Sequence, residues 1–151
     1  MIYLLYGQPA AGKTVLGDML AKNFSIRTQV DAEQFRQITN NNDYTQAGRE
    51  KNIRAANAVV TYLHKVRGEH VIMTFVNPYE YLRQELKDAN SGEVIDIFLT
   101  SSERKTKKHH NAEDFEIGNP MFKFDTNGEP KMNFERLLKN LAGLRFDGQN
   151  I

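Results

Sequence analysis

The chain is expected to form a three-layer α/β/α sandwich around a mostly parallel sheet. Three observations predict this class. Strand-like and helix-like segments alternate from end to end, which calls for crossover helices between parallel strands. The run Val71 to Val76 is almost continuously apolar, as a strand covered on both faces must be. The first strand-like run leads straight into Gly7-Gln8-Pro9-Ala10-Ala11-Gly12-Lys13-Thr14, a glycine-bounded turn in front of a helix-like segment.

Taken in order, Met1 to Tyr6 is the first strand and Lys13 to about Lys22 the first helix. Ile26 to Val30 reads as a second strand ending at Asp31, followed by a short helix carrying Phe35. Thr45 can cap the next helix, where Ile53, Ala56, Val59, Val60, Leu63 and Val66 recur at the spacing of one buried face until Gly68 stops it. Asn77-Pro78 breaks the third strand, and Tyr79 to about Ala89 forms another helix. Glu93 to Leu99 is a fourth strand, after which periodicity fails from Thr100 to about Pro120, a candidate functional lid of about 101–120. Met121 to Thr126 is the last strand, Asn127-Gly128 a turn, and Phe134, Leu137, Leu138, Leu141 and Leu144 mark the final helix.

Composition narrows the function classes. A chain of 151 residues is expected to make one domain, 1–151, with a core large enough for a sheet and its helices. A net charge of +1 argues against a general nucleic-acid or membrane-surface binder. The absence of cysteine excludes disulfides and thiolate catalysis. The apolar runs are too short to span a bilayer, so a soluble cytoplasmic protein is expected.

Gly7 to Thr14 fits a phosphate-binding loop, the Walker A pattern, and makes the expected fold one of the P-loop nucleoside triphosphate hydrolase and kinase type. The glycines let the backbone curl so that successive N–H groups face one anion. Lys13 adds a point charge near the β- and γ-phosphates, and the Thr14 hydroxyl can join the shell of a magnesium ion. The dipole of the following helix favours the same anion.

In open α/β sheets ligands lie beyond the carboxyl ends of the strands. Asp31 and Glu33 stand there, where a carboxylate can hold magnesium or accept a proton from an attacking hydroxyl; Asp31 can equally cap the next helix, and the two roles are compatible. The third strand ends without an acid, so Asp31 is the substitute for the missing Walker B carboxylate. Arg36, Arg49 and Arg54 are candidates for pairing with an anionic second substrate, and Arg49 and Asn52 share one helical face. His109 and His110 are adjacent and have no partner at ligand spacing, which speaks against zinc.

With these residues in place, the chain resembles the adenylylsulfate kinases, which use ATP to phosphorylate the 3′-hydroxyl of adenosine 5′-phosphosulfate. The phosphate loop matches; the family's Asp-Gly-Asp-x-x-Arg motif is similar to Asp31-Ala32-Glu33-Gln34-Phe35-Arg36. Its Phe-Ser-x-x-x-Arg-x-x-Asn-Ile-Arg segment resembles Tyr44 to Arg54, and its Ser-Phe-Ile-Ser-Pro-Tyr-x-x-x-Arg stretch resembles Thr74 to Arg83. The resemblance implies ATP and Mg2+ as cofactors, a nucleotide acceptor gripped by Arg36, Arg49 and Asn52, and Tyr44 in place of an aromatic that stacks on the adenine. It implies that Asp31 serves magnesium and the hydroxyl, that Asn77 replaces a serine at the acceptor, and that Lys13 and Asp31 are the catalytic residues. A role in sulfate assimilation and a homodimer are further implications, with Tyr62, Tyr79 and Tyr81 considered for the interface.

The chain also departs from that pattern. Glu33 replaces the second aspartate, and Glu80 a frequent arginine. The family's Arg-Asp-x-Lys-Gly-Leu-Tyr lid is replaced by the shorter Ser101 to His110, in which Arg104 or Lys107 would take the phosphate-closing role; Phe115 is read as a core residue before a second stacking ring. Three readings stay open at this point: an adenylylsulfate kinase, a kinase for another nucleoside, nucleotide or polynucleotide hydroxyl, and an ATP-binding module without turnover.

Overall fold

A computed structural model describes residues 1–103 and 111–144. Five strands, β1 (Ile2–Tyr6), β2 (Thr28–Asp31), β3 (Val71–Phe75), β4 (Val94–Thr100) and β5 (Phe122–Asp125), form one sheet in the order β2-β3-β1-β4-β5. Every pairing is parallel. Helices α1 (Lys13–Phe24), α2 (Ala32–Thr39), α3 (Gln46–Lys65), α4 (Glu80–Ala89) and α5 (Pro130–Leu144) make the crossovers and cover both faces.

The alternation of side chains along the strands builds two cores. Ile2, Leu4, Tyr6, Met73 and Phe75 point to one side, against Ile53, Ala56 and Val60 of α3 and Leu82 and Leu86 of α4. Leu5, Ile72, Ile97 and Leu99 point to the other, against Leu16 and Leu20 of α1 and Phe134, Leu137 and Leu141 of α5. Each fully buried leucine or isoleucine contributes about 1.5–3 kcal/mol, so the middle strands β3, β1 and β4 carry most of the sheet's stability.

Three expectations need correction. The second strand begins at Thr28 rather than Ile26, because the Ile26 N–H bonds the Ala21 carbonyl at 2.9 Å and closes the end of α1 around Ser25, which has φ 54°. On α3 the apolar residues Val59 and Val66 are exposed, while Arg49, Asn52 and Asn57 are buried in the face turned to the sheet. Of the three tyrosines considered for an interface, Tyr79 is buried; Tyr62 and Tyr81 are exposed.

The expected lid is in part a fixed segment. Residues 111–120 form no helix or strand, yet Ala112 is buried and the segment is hydrogen-bonded along its length. Arg83 donates to the carbonyls of Glu116 (2.7 Å) and Ile117 (3.1 Å), Tyr6 donates to Ile117 (2.6 Å), and the Glu116 N–H bonds the Pro78 carbonyl. Phe115 packs in the core, stacked on Tyr6 and tilted against Phe98. Arg104, Lys107, His109 and His110 lie outside the described residues.

Candidate functional site

The carboxyl ends of β1, β2 and β3 open into a cavity of about 320 Å³. Its donor wall is the phosphate loop, and its geometry explains why the loop needs glycine at the first position. A Cβ on Gly7, at φ 155°, would stand 2.2 Å from the Leu99 carbonyl oxygen. Lys13 folds back across the loop, with Nζ donating to the carbonyls of Gly7 (2.9 Å) and Gln8 (2.8 Å). The ammonium is therefore held over the concavity where phosphate oxygens would replace those carbonyls.

Asp31 divides its two oxygens between structure and chemistry. Oδ2 accepts from the N–H groups of Glu33 and Gln34 and caps α2, while Oδ1 accepts from Thr74 Oγ1 at 3.0 Å and Thr14 Oγ1 at 3.4 Å. The cap and the cavity-facing role foreseen for this residue thus coexist in one carboxylate. Thr74 stands where a Walker B acid was sought, and the β2–β3 register places it directly beside Asp31. Gly17 of α1 makes room for it: a Cβ there would come 2.9 Å from the Thr74 methyl. Thr14, Asp31 and Thr74 offer one carboxylate and two hydroxyls, and no group of three metal-binding acidic, histidine or cysteine side chains occurs among the described residues. That set fits magnesium, which keeps most of its waters and takes phosphate oxygens, with few protein ligands.

The rest of the cavity lining is made mostly of side chains. Arg36 Nη1 donates to the carbonyls of Asn41 and Asp43 and to Asn41 Oδ1, at 3.0–3.1 Å, and its guanidinium lies 4.0 Å over the Tyr44 ring. Burial lowers the Arg36 pKa, with the nearby Arg49 acting the same way and Tyr44 and Asp43 opposing; an arginine remains a cation at neutral pH. Arg49, only 6% exposed, donates through Nε to the Tyr44 carbonyl (2.9 Å) and through Nη2 to the Asn111 carbonyl (3.4 Å). Tyr44 is thus held between cations, with the Arg49 guanidinium also 5.9 Å from its ring centroid.

Asn52 and Asn77 are 3% and 1% exposed and line the same cavity. Asn52 Oδ1 and both amide atoms of Asn77 have no hydrogen-bond partner among the described residues. A buried polar atom left unpaired costs about 1–3 kcal/mol, so these three atoms are strong candidates for ligand contacts. Asn77 is held in the left-handed region at φ 47°, and its carbonyl accepts from the buried Arg83 at 2.6 Å.

Of the residues proposed from sequence, Pro9, Ala10, Lys13, Thr14, Asp31, Glu33, Arg36, Tyr44, Arg49, Asn52 and Asn77 all line this cavity. Gly7 and Ala11 shape the loop from beneath, and Gly12 borders a second cavity of about 370 Å³ on the loop's opposite side, with Val15, Ser101, Thr126 and Asn133. The Gln8 side chain turns away to residue 112. Thr74, Phe75 and Arg83 were not singled out as site residues. For Thr74 a signal existed, the acid missing from the end of the third strand.

A parallel sheet with a phosphate loop after its first strand and a carboxylate opposite it defines a P-loop kinase. Comparison with known proteins specifies which. The family model described as adenylylsulphate kinase matches residues 1–114, three quarters of the sequence, and the chain belongs to that family of ATP-dependent kinases. No curated protein matches the chain. Among solved structures, the Mycobacterium tuberculosis APS kinase in complex with AMPPNP and APS is similar in fold, with TM-score 0.74, 14% identity, and coverage of 93% of this chain and 96% of that one. A gluconokinase from Sinorhizobium meliloti 1021 has TM-score 0.69 at 14% identity, covering 94% and 91%. A shikimate kinase from Aquifex aeolicus has TM-score 0.61 at 15% identity, covering 96% and 98%. Identities this low speak for the shared fold, and leave the acceptor to the chemistry of the site. No helix among the described residues is long and apolar enough to cross a membrane.

Proposed function

We propose that this kinase transfers the γ-phosphate of ATP to the 3′-hydroxyl of adenosine 5′-phosphosulfate, acting as a single domain with the cavity at the strand ends as its active site. The observation that carries the reading is the acceptor wall: two arginines, one of them buried, stand beside buried amides with open hydrogen-bonding capacity, across the cavity from Lys13 and Asp31. Arginines suit the phosphosulfate anion through paired N–H donors. Tyr44, Phe75 and Pro78 supply flat apolar surface for a base.

In the reaction the acceptor oxygen forms a bond to the γ-phosphorus as the bond to the β,γ-bridging oxygen breaks. The electron pair leaves with ADP, and the hydroxyl proton passes to Asp31 Oδ1. Lys13 leaves the loop carbonyls to neutralise charge on the transferring group, and the loop N–H groups hold the β-phosphate. Thr14 and Asp31 would hold a magnesium ion, which would supply charge neutralisation to the transferring phosphate. Arg36, Arg49, Asn52 and Asn77 hold the acceptor in line, with Glu33 at the mouth; Arg104 is proposed to close on the donor. The use of ATP agrees with a cytoplasmic location.

A second reading, phosphorylation of a small anionic sugar or acid, draws on the same arginines. ADP release with ATP and magnesium, measured with adenylylsulfate, gluconate, shikimate, nucleosides and a 5′-hydroxyl oligonucleotide, separates them. Selective turnover of adenylylsulfate is expected. Turnover of another acceptor instead would redirect the assignment, and ATP binding without any turnover would leave a binding module.

A further inference from the structure

We propose that Gln8 is a positioning residue whose side chain couples the phosphate loop to the acceptor wall through residues 111–114. Phosphates are bound by this loop's backbone, and the Gln8 side chain faces the other way. Its amide makes two bonds to one peptide unit's worth of backbone: Nε2 donates to the Ala112 carbonyl at 2.7 Å, and the Ala112 N–H donates to Oε1 at 3.0 Å. Two antiparallel bonds fix both position and orientation, and Ala112 is only 4% exposed, so water competes poorly for them.

The residues flanking Ala112 reach the acceptor side. The Asn111 carbonyl accepts from Arg49, and the Asp114 side chain is hydrogen-bonded to Tyr79, whose hydroxyl pKa is pushed up to about 12 by burial first and by this carboxylate second. Downstream, residues 116 and 117 are held separately by Arg83, Tyr6 and the Pro78 carbonyl. Gln8 thus joins the donor loop to a segment whose other contacts belong to the acceptor wall and the β3–α4 connection.

The Gln8 peptide is also where nucleotide binding acts. Its carbonyl accepts from Lys13 Nζ and from the Ala11 N–H, and phosphates would draw the ammonium away. Changing partners at that peptide shifts the residue whose side chain holds Ala112, and so shifts the carbonyl that Arg49 binds. Coupling of this kind is reciprocal between the two ligands. It rests on the loop's binding a nucleotide and is independent of which acceptor is used.

Hydrogen exchange of the full chain, with and without AMPPNP and magnesium, tests the proposal in wild type, Gln8→Met, Gln8→Glu and Ala112→Pro. In wild type, nucleotide should change exchange across 111–114 by about fivefold or more. Gln8→Met should exchange there roughly tenfold faster and lose the nucleotide response, while in Ala112→Pro, outside the loop, AMPPNP affinity by calorimetry should fall less than about threefold. Gln8→Glu, which keeps an acceptor for the Ala112 N–H, should be intermediate. Ala112→Pro removes the N–H bond of the pair from the other side and should likewise be intermediate, judged by the remaining amides of 111–114, which guards against a fold defect peculiar to position 8. Wild-type exchange in Gln8→Met, no nucleotide response in wild type, or a collapse of AMPPNP affinity in Ala112→Pro would each overturn the proposal. Failure to phosphorylate adenylylsulfate would count against the acceptor assignment alone, since no arm of this experiment uses an acceptor.

Discussion

The two walls of the cavity are built on different principles. The proposed donor wall is part of one run of eight residues, Gly7 to Thr14, whose backbone would do the binding, pinned by Gly7 under Leu99 and spanned by Lys13. The acceptor wall gathers Arg36, Tyr44, Arg49, Asn52 and Asn77 from two helices, a loop and a strand end. A backbone site recognises what all nucleoside triphosphates share, whereas a side-chain site can change its ligand by a few substitutions. That difference accounts for one fold serving kinases whose acceptors differ as much as a nucleotide, gluconate and shikimate.

The largest effect should come from the donor wall. Lys13→Ala removes the charge that meets the transferring phosphate and should lower kcat/KM by about 10³-fold with any acceptor, measured by ADP release. Asp31→Asn comes next, with kcat down about 10²-fold and the thermal midpoint nearly unchanged, because asparagine still caps α2. Asp31→Ala should add a loss of about 1 kcal/mol of stability, seen in chemical denaturation. A thermal midpoint that fell equally in both variants would break the division of labour between the two carboxylate oxygens.

On the acceptor wall the effects should be smaller and confined to one substrate. Asn77→Ala removes the amide that has no protein partner and should raise the acceptor KM about tenfold, with the ATP KM little changed, in steady-state kinetics varying each substrate in turn.

How much of this was legible follows from the same contrast. The phosphate loop could be read at once because eight contiguous residues encode its backbone path. Arg36, Arg49 and Asn52 can be named from charge and a shared helical face, whereas the roles of Tyr44 and Asn77 are reached only through the resemblance, since no local spacing brings Arg36 over Tyr44. The apolar spacing misled at Val59, which stands off the buried stripe of Ile53, Ala56 and Val60, and at Val66, the residue that ends α3; Arg49 and Asn52 occupy the buried face near the site instead. Thr74 became a partner of Asp31 through strand register, which depends on how β2 and β3 pair. Residues 111–120 form no helix or strand, in keeping with the failed periodicity, but their anchoring is made by distant side chains, Gln8, Arg49 and Arg83, that no window of sequence contains.

The smallest expected effect concerns the loop before α3. Thr45 donates through both its N–H and its hydroxyl to Asp43 Oδ1, which holds the Asp43 pKa below its ordinary 3.8. A depressed folded-state pKa contributes stability that is present above 3.8 and is lost as pH falls through the lower folded value. Thermal midpoints measured from pH 5 down to about pH 2 should therefore fall less steeply in Asp43→Asn than in wild type.

The central claim is that separate walls bind donor and acceptor, and Arg49 tests it most directly. Calorimetric titration of AMPPNP and of adenylylsulfate into wild type and Arg49→Ala, with thermal midpoints recorded to confirm folding, gives both affinities on the same samples. The account predicts that adenylylsulfate affinity falls by at least about tenfold while AMPPNP affinity stays within about twofold. An equal loss of both in a folded variant would contradict it.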